Sequence, residues 1–321
     1  MEAPNPHVHT YRMAGWLLLL ALISFIVQVT VFTTEYRPDE WRALPTFLMK
    51  ITGSIGLTEE LWVRVCLILF NAACVTALYV MRLITRDTLW LALVWPLTLF
   101  LFSKIYWEFF VFPLCLVRVD LCRRDEALFI VALISLLLVS GEANLGVILL
   151  WRSVLMLQKC GLKWVAPLGL ILVGLAIDWV MAAGYSAQIP LIGSEIARFS
   201  WTRDVVNPEY SILETAAVFF ASFHFFSLHS GAYWIDALFS LLVLALIFNR
   251  IETWDAVREH AATLIAFASV VLFFTSITHA FQNARYYFFF MPVLATLVPR
   301  DRLVPIAALG IFHVALRGLS L

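Results

Sequence analysis

Charge is scarce in this sequence. Only 14% of its 321 residues are Asp, Glu, Lys or Arg, while 62% are hydrophobic, and a chain this apolar cannot clothe a water-soluble surface. Net charge is absent, with 22 basic against 22 acidic residues. No basic field of the size that nucleic acids require can exist, and charge placement carries more information than the total. Cysteine is sparse: Cys66, Cys74, Cys115, Cys122 and Cys160 form an odd set without CxxC spacing, which argues against a disulfide framework. There is no Asn-x-Ser/Thr sequon, Walker loop, HExxH, GxSxG or Rossmann glycine pattern. Nucleotide-driven transport and serine or zinc hydrolysis thereby lose their usual signatures. Neither an internal repeat nor the inverted hydropathy symmetry of many secondary transporters is visible.

What the chain has in abundance is apolar runs. A helix needs about 20 apolar residues to cross a bilayer, and about eleven stretches approach that. They lie near 13–32, 61–81, 88–103, 106–118, 127–140, 144–158, 163–184, 232–248, 261–279, 286–299 and 303–319. The fold class read from them is an all-α, polytopic membrane protein, a single integral-membrane domain over 1–321. The first run follows Arg12 and has no small-residue cleavage site after it, so it reads as an uncleaved helix. A cytoplasmic N-terminus places Arg12, Arg82, Arg86, Arg118, Arg123, Arg124, Arg152, Lys159, Lys163, Arg250, Arg258, Arg300 and Arg302 inside, as the positive-inside rule requires. That topology needs residues 211–230, with Glu214, His224 and His229, to lie as an interfacial helix in an outer segment spanning 187–230. If they cross instead, the last four helices invert. Twelve Trp residues, among them Trp62, Trp90, Trp107, Trp151, Trp164, Trp234 and Trp254, fall near the ends of the runs, where indole rings anchor at headgroup depth.

The chemistry-bearing residues gather in the outer turns. The first outer loop, 33–60, carries Asp39 and Glu40 just before an amphipathic stretch, where they can cap a helix N-terminus or act as a base. The second holds Lys104 and Glu108 at i,i+4 spacing, which suits either a helix-end ion pair or a phosphate ligand beside a base. Glu142 sits in a turn of Gly-Glu-Ala-Asn, and Asp178 falls in the outer half of a span, where it must face protein or water. Arg198 and Arg203 lie in the long outer loop. The last turn runs His279-Ala-Phe-Gln-Asn-Ala-Arg285-Tyr286, combining a guanidinium suited to bidentate phosphate binding with an imidazole able to move a proton. Carboxylates and cations on one face are the inventory for moving a sugar off a lipid-linked phosphate: an acid deprotonates the acceptor, and a cation neutralises the departing phosphate. No cofactor is required. A divalent cation is compatible with the oxygens of Asp39, Glu40 or Glu108, although no spacing demands one.

These residues resemble the GT-C superfamily of membrane glycosyltransferases, through Asp39-Glu40 in the first outer loop, the Pro96…Ser103…Glu108 pattern and the late His279…Arg285-Tyr286 turn. The resemblance implies a basic role for Asp39 or Glu108 and lipid-phosphate binding by His279 and Arg285. Ser103-Lys104 and the compact all-helix plan also look like bacterial O-antigen and exopolysaccharide polymerases, which join polyprenyl-pyrophosphate-linked units. The chain departs from many GT-C enzymes in lacking a large C-terminal outer domain, and from many polymerases in lacking a long Arg-rich outer loop.

The implied function is glycosyl transfer from a polyprenyl-(pyro)phosphate donor in surface-polysaccharide assembly, in a bacterial inner membrane with the site facing the periplasm. Partners would be membrane lipid, the lipid-linked donor, a glycan acceptor and other assembly proteins. A transporter or flippase for a lipid-linked or anionic solute uses the same residues differently, and a non-catalytic assembly subunit would use the aromatic-rich faces.

Overall fold

A computed structural model describes residues 59–95, 98, 108–140, 143–184, 212–224, 233–278 and 288–319, and no strand occurs among them. They form α1 (Glu59–Val80), α2 (Arg86–Val94), α3 (Glu108–Cys115), α4 (Arg123–Ser140), α5 (Ala143–Lys159), α6 (Val165–Ala182), α7 (Ile212–His224), α8 (Tyr233–Phe248), α9 (Ile251–Glu259), α10 (Ala261–Thr278), α11 (Met291–Leu297) and α12 (Leu303–Leu319). Seven of the apolar runs fall on α1, α4, α5, α6, α8, α10 and α12 within a few residues. The run at 13–32 and the outer loop 33–60, up to the start of α1, lie outside the described residues.

Elsewhere the helices are shorter than the runs that predicted them. Helix α2 ends at Val94, α3 has 8 residues with Pro113 inside, and α11 has 7. Helix α9 lies between the runs at 232–248 and 261–279, turned 89° from α8. Among the described residues one helix, α6, is by itself long and apolar enough to cross a membrane, or two if the bent α8–α9 pair is one span. The physical reason is charge at the helix ends as well as length: α4, for instance, opens Arg123-Arg124-Asp125-Glu126.

Local chemistry sets the boundaries. Thr85 caps α2, its hydroxyl accepting from the Thr88 N–H at 3.2 Å, with Asp87 in the first turn. Helix α5 stops at Gly161, whose φ of 102° lets the Leu162 N–H turn back to the Leu157 carbonyl at 3.0 Å. Helix α1 ends in the same way, the Leu83 N–H reaching the Leu78 carbonyl at 2.9 Å, but Arg82 occupies the left-handed position with φ 60°. A non-glycine residue there costs about 1 kcal/mol.

The connections 81–85, 116–122, 160–164, 249–260 and 298–302 meet at one end of the bundle. The Arg118 N–H donates to the Leu83 carbonyl at 2.8 Å, and Lys159 Nζ to the Leu121 carbonyl at 2.8 Å. Gln158 reaches the Ala262 carbonyl at 2.9 Å. Arg250 pairs with Asp301 at 2.9 Å, and Arg300 closes the ring on Asp87 at 3.0 Å. All the described residues expected on the inner side therefore share one end, apart from Arg152, which lies inside the bundle.

Above this ring, α2, α3 and α11 form a shallow layer around buried Trp95, Trp151 and Phe289. The Phe112 and Phe288 rings stack at 5.4 Å, and Trp151 meets Phe289 at 4.6 Å. Trp151 is therefore core rather than an interfacial anchor. Trp164, Trp179, Trp234 and Trp254 are exposed, two near each end of the bundle. On α7, Ala217 and Ala221 lie against Ala237 of α8, and the Ser240 hydroxyl donates to the Phe220 carbonyl.

Helices α6 and α10 approach most closely at Gly174. A Cβ there would meet Ser276 Oγ at 2.6 Å and the Phe273 Cα at 3.2 Å, and Ser276 is held by its own bond to the Phe273 carbonyl at 2.8 Å. Gly174→Leu is expected to cost about 1–3 kcal/mol through overpacking. On the same helix Gly169 has nothing within 4 Å, so Gly169→Ala should be neutral or stabilising by up to about 1 kcal/mol. Thermal unfolding in detergent checks both; equal midpoints for the two variants would refute the close approach.

Candidate functional site

Helices α8 and α12 run in opposite directions from the basic ring, so the first turn of α8 and the last turns of α12 lie at the far end. There the two helices bring together Asp236, His313 and Arg317, the last two on one helical face by their i,i+4 spacing. His313 Nε2 lies 2.6 Å from Asp236 Oδ1, and Arg317 Nε lies 3.4 Å from the same oxygen. The imidazole stacks on Phe239, one turn after Asp236, with centroids 4.3 Å apart and planes 3° from parallel. Asp236 and His313 are fully buried, and Arg317 is 8% exposed.

His313 Nε2 and the Asp236 carboxylate share one hydrogen bond, whose donor depends on the imidazole tautomer, and the Arg317 guanidinium lies beside the same oxygen. Asp236 Oδ2 is buried with no hydrogen-bond partner among the described residues. An oriented carboxylate–imidazole pair is the arrangement that proton transfer uses.

A second charged cluster lies at the basic end. Glu126, fully buried in the first turn of α4, receives Lys159 Nζ at 2.7 Å and Arg152 Nη1 at 3.3 Å. Arg152 Nη2 also donates to the Val117 and Arg118 carbonyls at 2.7 and 2.9 Å, and Lys159 to the Val119 carbonyl at 3.2 Å. The Phe129 ring lies 4.8 Å from the guanidinium carbon. The two cations, seven residues apart on α5, thus pin the 116–122 turn. Within that turn, hydrogen bonds from Arg118 hold the Asp120 carboxyl below its ordinary value. Their small contribution to stability is complete at neutral pH and disappears as the pH falls through the lowered value. This cluster is a latch, since its groups face one another and the backbone.

Among the residues expected to form a site, Glu108 begins α3. Asp39, Glu40, Lys104, Glu142, Arg198, Arg203, His279, Arg285 and Tyr286 lie outside the described residues. Asp178 is half-buried toward the far end of α6. Sequence reasoning missed Asp236 and His313, although each is an ionisable residue inside an apolar run, which is itself a signal. Among the described residues no group of three or more His, Cys, Asp or Glu could hold a metal ion, and Cys74, Cys115, Cys122 and Cys160 are free thiols.

No family model, curated protein or solved structure matches the chain.

Proposed function

We propose that the chain is a polytopic helical membrane enzyme that transfers a glycosyl group from a polyprenyl-(pyro)phosphate-linked donor in surface-polysaccharide assembly. One observation carries this reading. The chain leaves α2, α4, α6 and α10, and enters α1, α3, α5, α8 and α11, on the side away from the basic ring. The described helix ends that border 96–107, 141–142, 185–211 and 279–287 thus lie on that side, as do Asp236, His313 and Arg317, and this supports assigning the site to it.

Membrane embedding has its own support. Leu168, Leu172, Trp179, Leu238, Leu241, Val304, Ile311 and Phe312 are exposed large apolar side chains, far more than a soluble monomer leaves in contact with water. The exposed Trp164 and Trp179 on α6 are fifteen residues apart, a rise of about 22 Å that suits rings at two headgroup levels. The basic ring then faces the cytoplasm of a bacterial inner membrane and the site faces outward. In this proposal Asp39, Glu40 or Glu108 deprotonates the acceptor hydroxyl, Lys104, Arg198, Arg203, His279 and Arg285 neutralise the leaving phosphate, and Glu142 and Tyr286 bind substrate.

Reconstitution with defined polyprenyl-linked donors tests this, read by chromatography of product size. A ladder identifies a polymerase and a single added sugar a transferase. Arg285→Ala is expected to lower turnover about 10²-fold through loss of charge stabilisation, with membrane insertion unchanged. Full activity of that variant would remove Arg285 from the site. The second reading, a transporter for a lipid-linked or anionic solute, draws on the buried Asp236–His313 pair, because such pairs inside a bundle also serve proton relays. Equilibration of the lipid across the bilayer without new glycosidic bonds would establish it.

A further inference from the structure

At the basic end, five exposed cations, Arg82, Arg86, Arg123, Arg124 and Lys163, make no ion pair among the described residues. Carboxylates are present at this end, but Asp87, Asp120, Glu126, Asp255 and Asp301 are taken by other cations, which leaves Asp125, Glu252 and Glu259 against five cations. The free cations alternate with exposed apolar groups: Val80 and Met81 beside Arg82, and Leu162, Trp164 and Val165 around Lys163. A surface facing only water has no use for Trp164 at 62% exposure next to a lysine, whereas the boundary between acyl chains and phosphates matches both.

Helix α9 has the same design. Perpendicular to α8, it turns buried Thr253 and half-buried Ala256 and Val257 inward. At 100° per residue, exposed Trp254, Arg258 and Ile251 fall on one flank and Glu252, Asp255 and Glu259 on another. A helix lying in the plane of a leaflet needs these three sectors: one for the protein, one for lipid and one for water. The Trp254 indole N–H donates to the Phe248 carbonyl at 3.1 Å, which fixes the ring at the bend. Arg82 adds an independent sign, because a cation occupies a left-handed position that glycine would fill without strain.

We infer that this end of the molecule is a binding girdle for anionic phospholipid. Lipid phosphates are held by Arg82, Arg86, Arg123, Arg124 and Lys163, and the acyl region by Trp164, Ile251 and Trp254. The inference rests on the membrane reading but not on the enzymatic one.

The test uses the full chain, purified in detergent and incubated with equal amounts of phosphatidylglycerol and phosphatidylcholine. Retained lipid is counted by native mass spectrometry. Wild type is expected to keep phosphatidylglycerol several-fold over phosphatidylcholine. The variant R82G/R86Q/R123Q/R124Q should lose that preference by about tenfold or more, because each cation near a membrane surface contributes to it. The lysine version, R82K/R86K/R123K/R124K, should restore it and so controls for misfolding. Equal retention of both lipids by wild type, or an unchanged preference in the glutamine variant, would overturn the girdle. A chain that fails to float with vesicles of either lipid would instead overturn the membrane reading beneath it.

Discussion

Glu126→Ala is expected to destabilise the protein by about 3–5 kcal/mol, the range for removing one partner from a buried ion pair. The loss exceeds that of a surface salt bridge because of what remains. Arg152 and Lys159 would keep their positions beside an apolar wall with only the carbonyls of residues 117–121 to face. Glu126→Gln should cost less, because the amide oxygen can still accept from Lys159. Replacing all three residues by apolar ones of similar volume should recover part of the loss, since the desolvation of three charges goes with them. Thermal or denaturant unfolding in mild detergent reads these differences. An unchanged midpoint for Glu126→Ala would show that the carboxylate is not what holds the latch.

The second large effect is expected at Asp236. Asp236→Ala removes the oxygen that serves both His313 and Arg317 and leaves a guanidinium at 8% exposure without its carboxylate. A cost of about 3 kcal/mol follows from the same reasoning. Asp236→Asn separates structure from chemistry. The amide keeps the shape and accepts from His313, so most of the stability should survive. It no longer stabilises a protonated imidazole, so a reaction that moves a proton through His313 should slow by about 10²-fold or more. Parallel measurements of unfolding and of turnover, by glycan extension or by lipid equilibration across a bilayer, distinguish the two. Equal activity of Asp236→Asn and wild type would make the cluster purely structural.

Much of the helical framework was legible in the sequence. The runs at 144–158, 163–184 and 303–319 became α5, α6 and α12 with little change, because long apolar stretches bounded by Gly161, Gly184 and Pro299 leave few alternatives to a helix. The convergence of the basic turns was anticipated from charge placement alone. Less visible were the short elements. The run at 106–118 suggested a span, but α3 has 8 residues with Pro113 inside it. Helix α9 was hidden because it has only 9 residues and carries Glu252, Asp255, Arg258 and Glu259, so no apolar run marks it. Trp151 illustrates the same limit, since an indole near the end of a run reads as an anchor until Phe289 is found packed on it.

The candidate site divides in the same way. Acids and cations between the apolar runs could be recognised one at a time, because a charged residue beside an apolar run stands out wherever its partner is. By itself the amino-acid sequence therefore determined the helical class, the bounds of seven described helices to within a few residues and the sharing of one end by the described basic turns, all of which follow from periodicity and charge within a few turns of chain. Only the tertiary structure decided that Asp236 meets His313 and Arg317, and that Glu126 meets Arg152 and Lys159. These partners are 77 and 26 residues apart for the closest hydrogen-bonded members. Nothing local links them, and which helix faces which is settled by packing contacts such as Gly174 against Phe273.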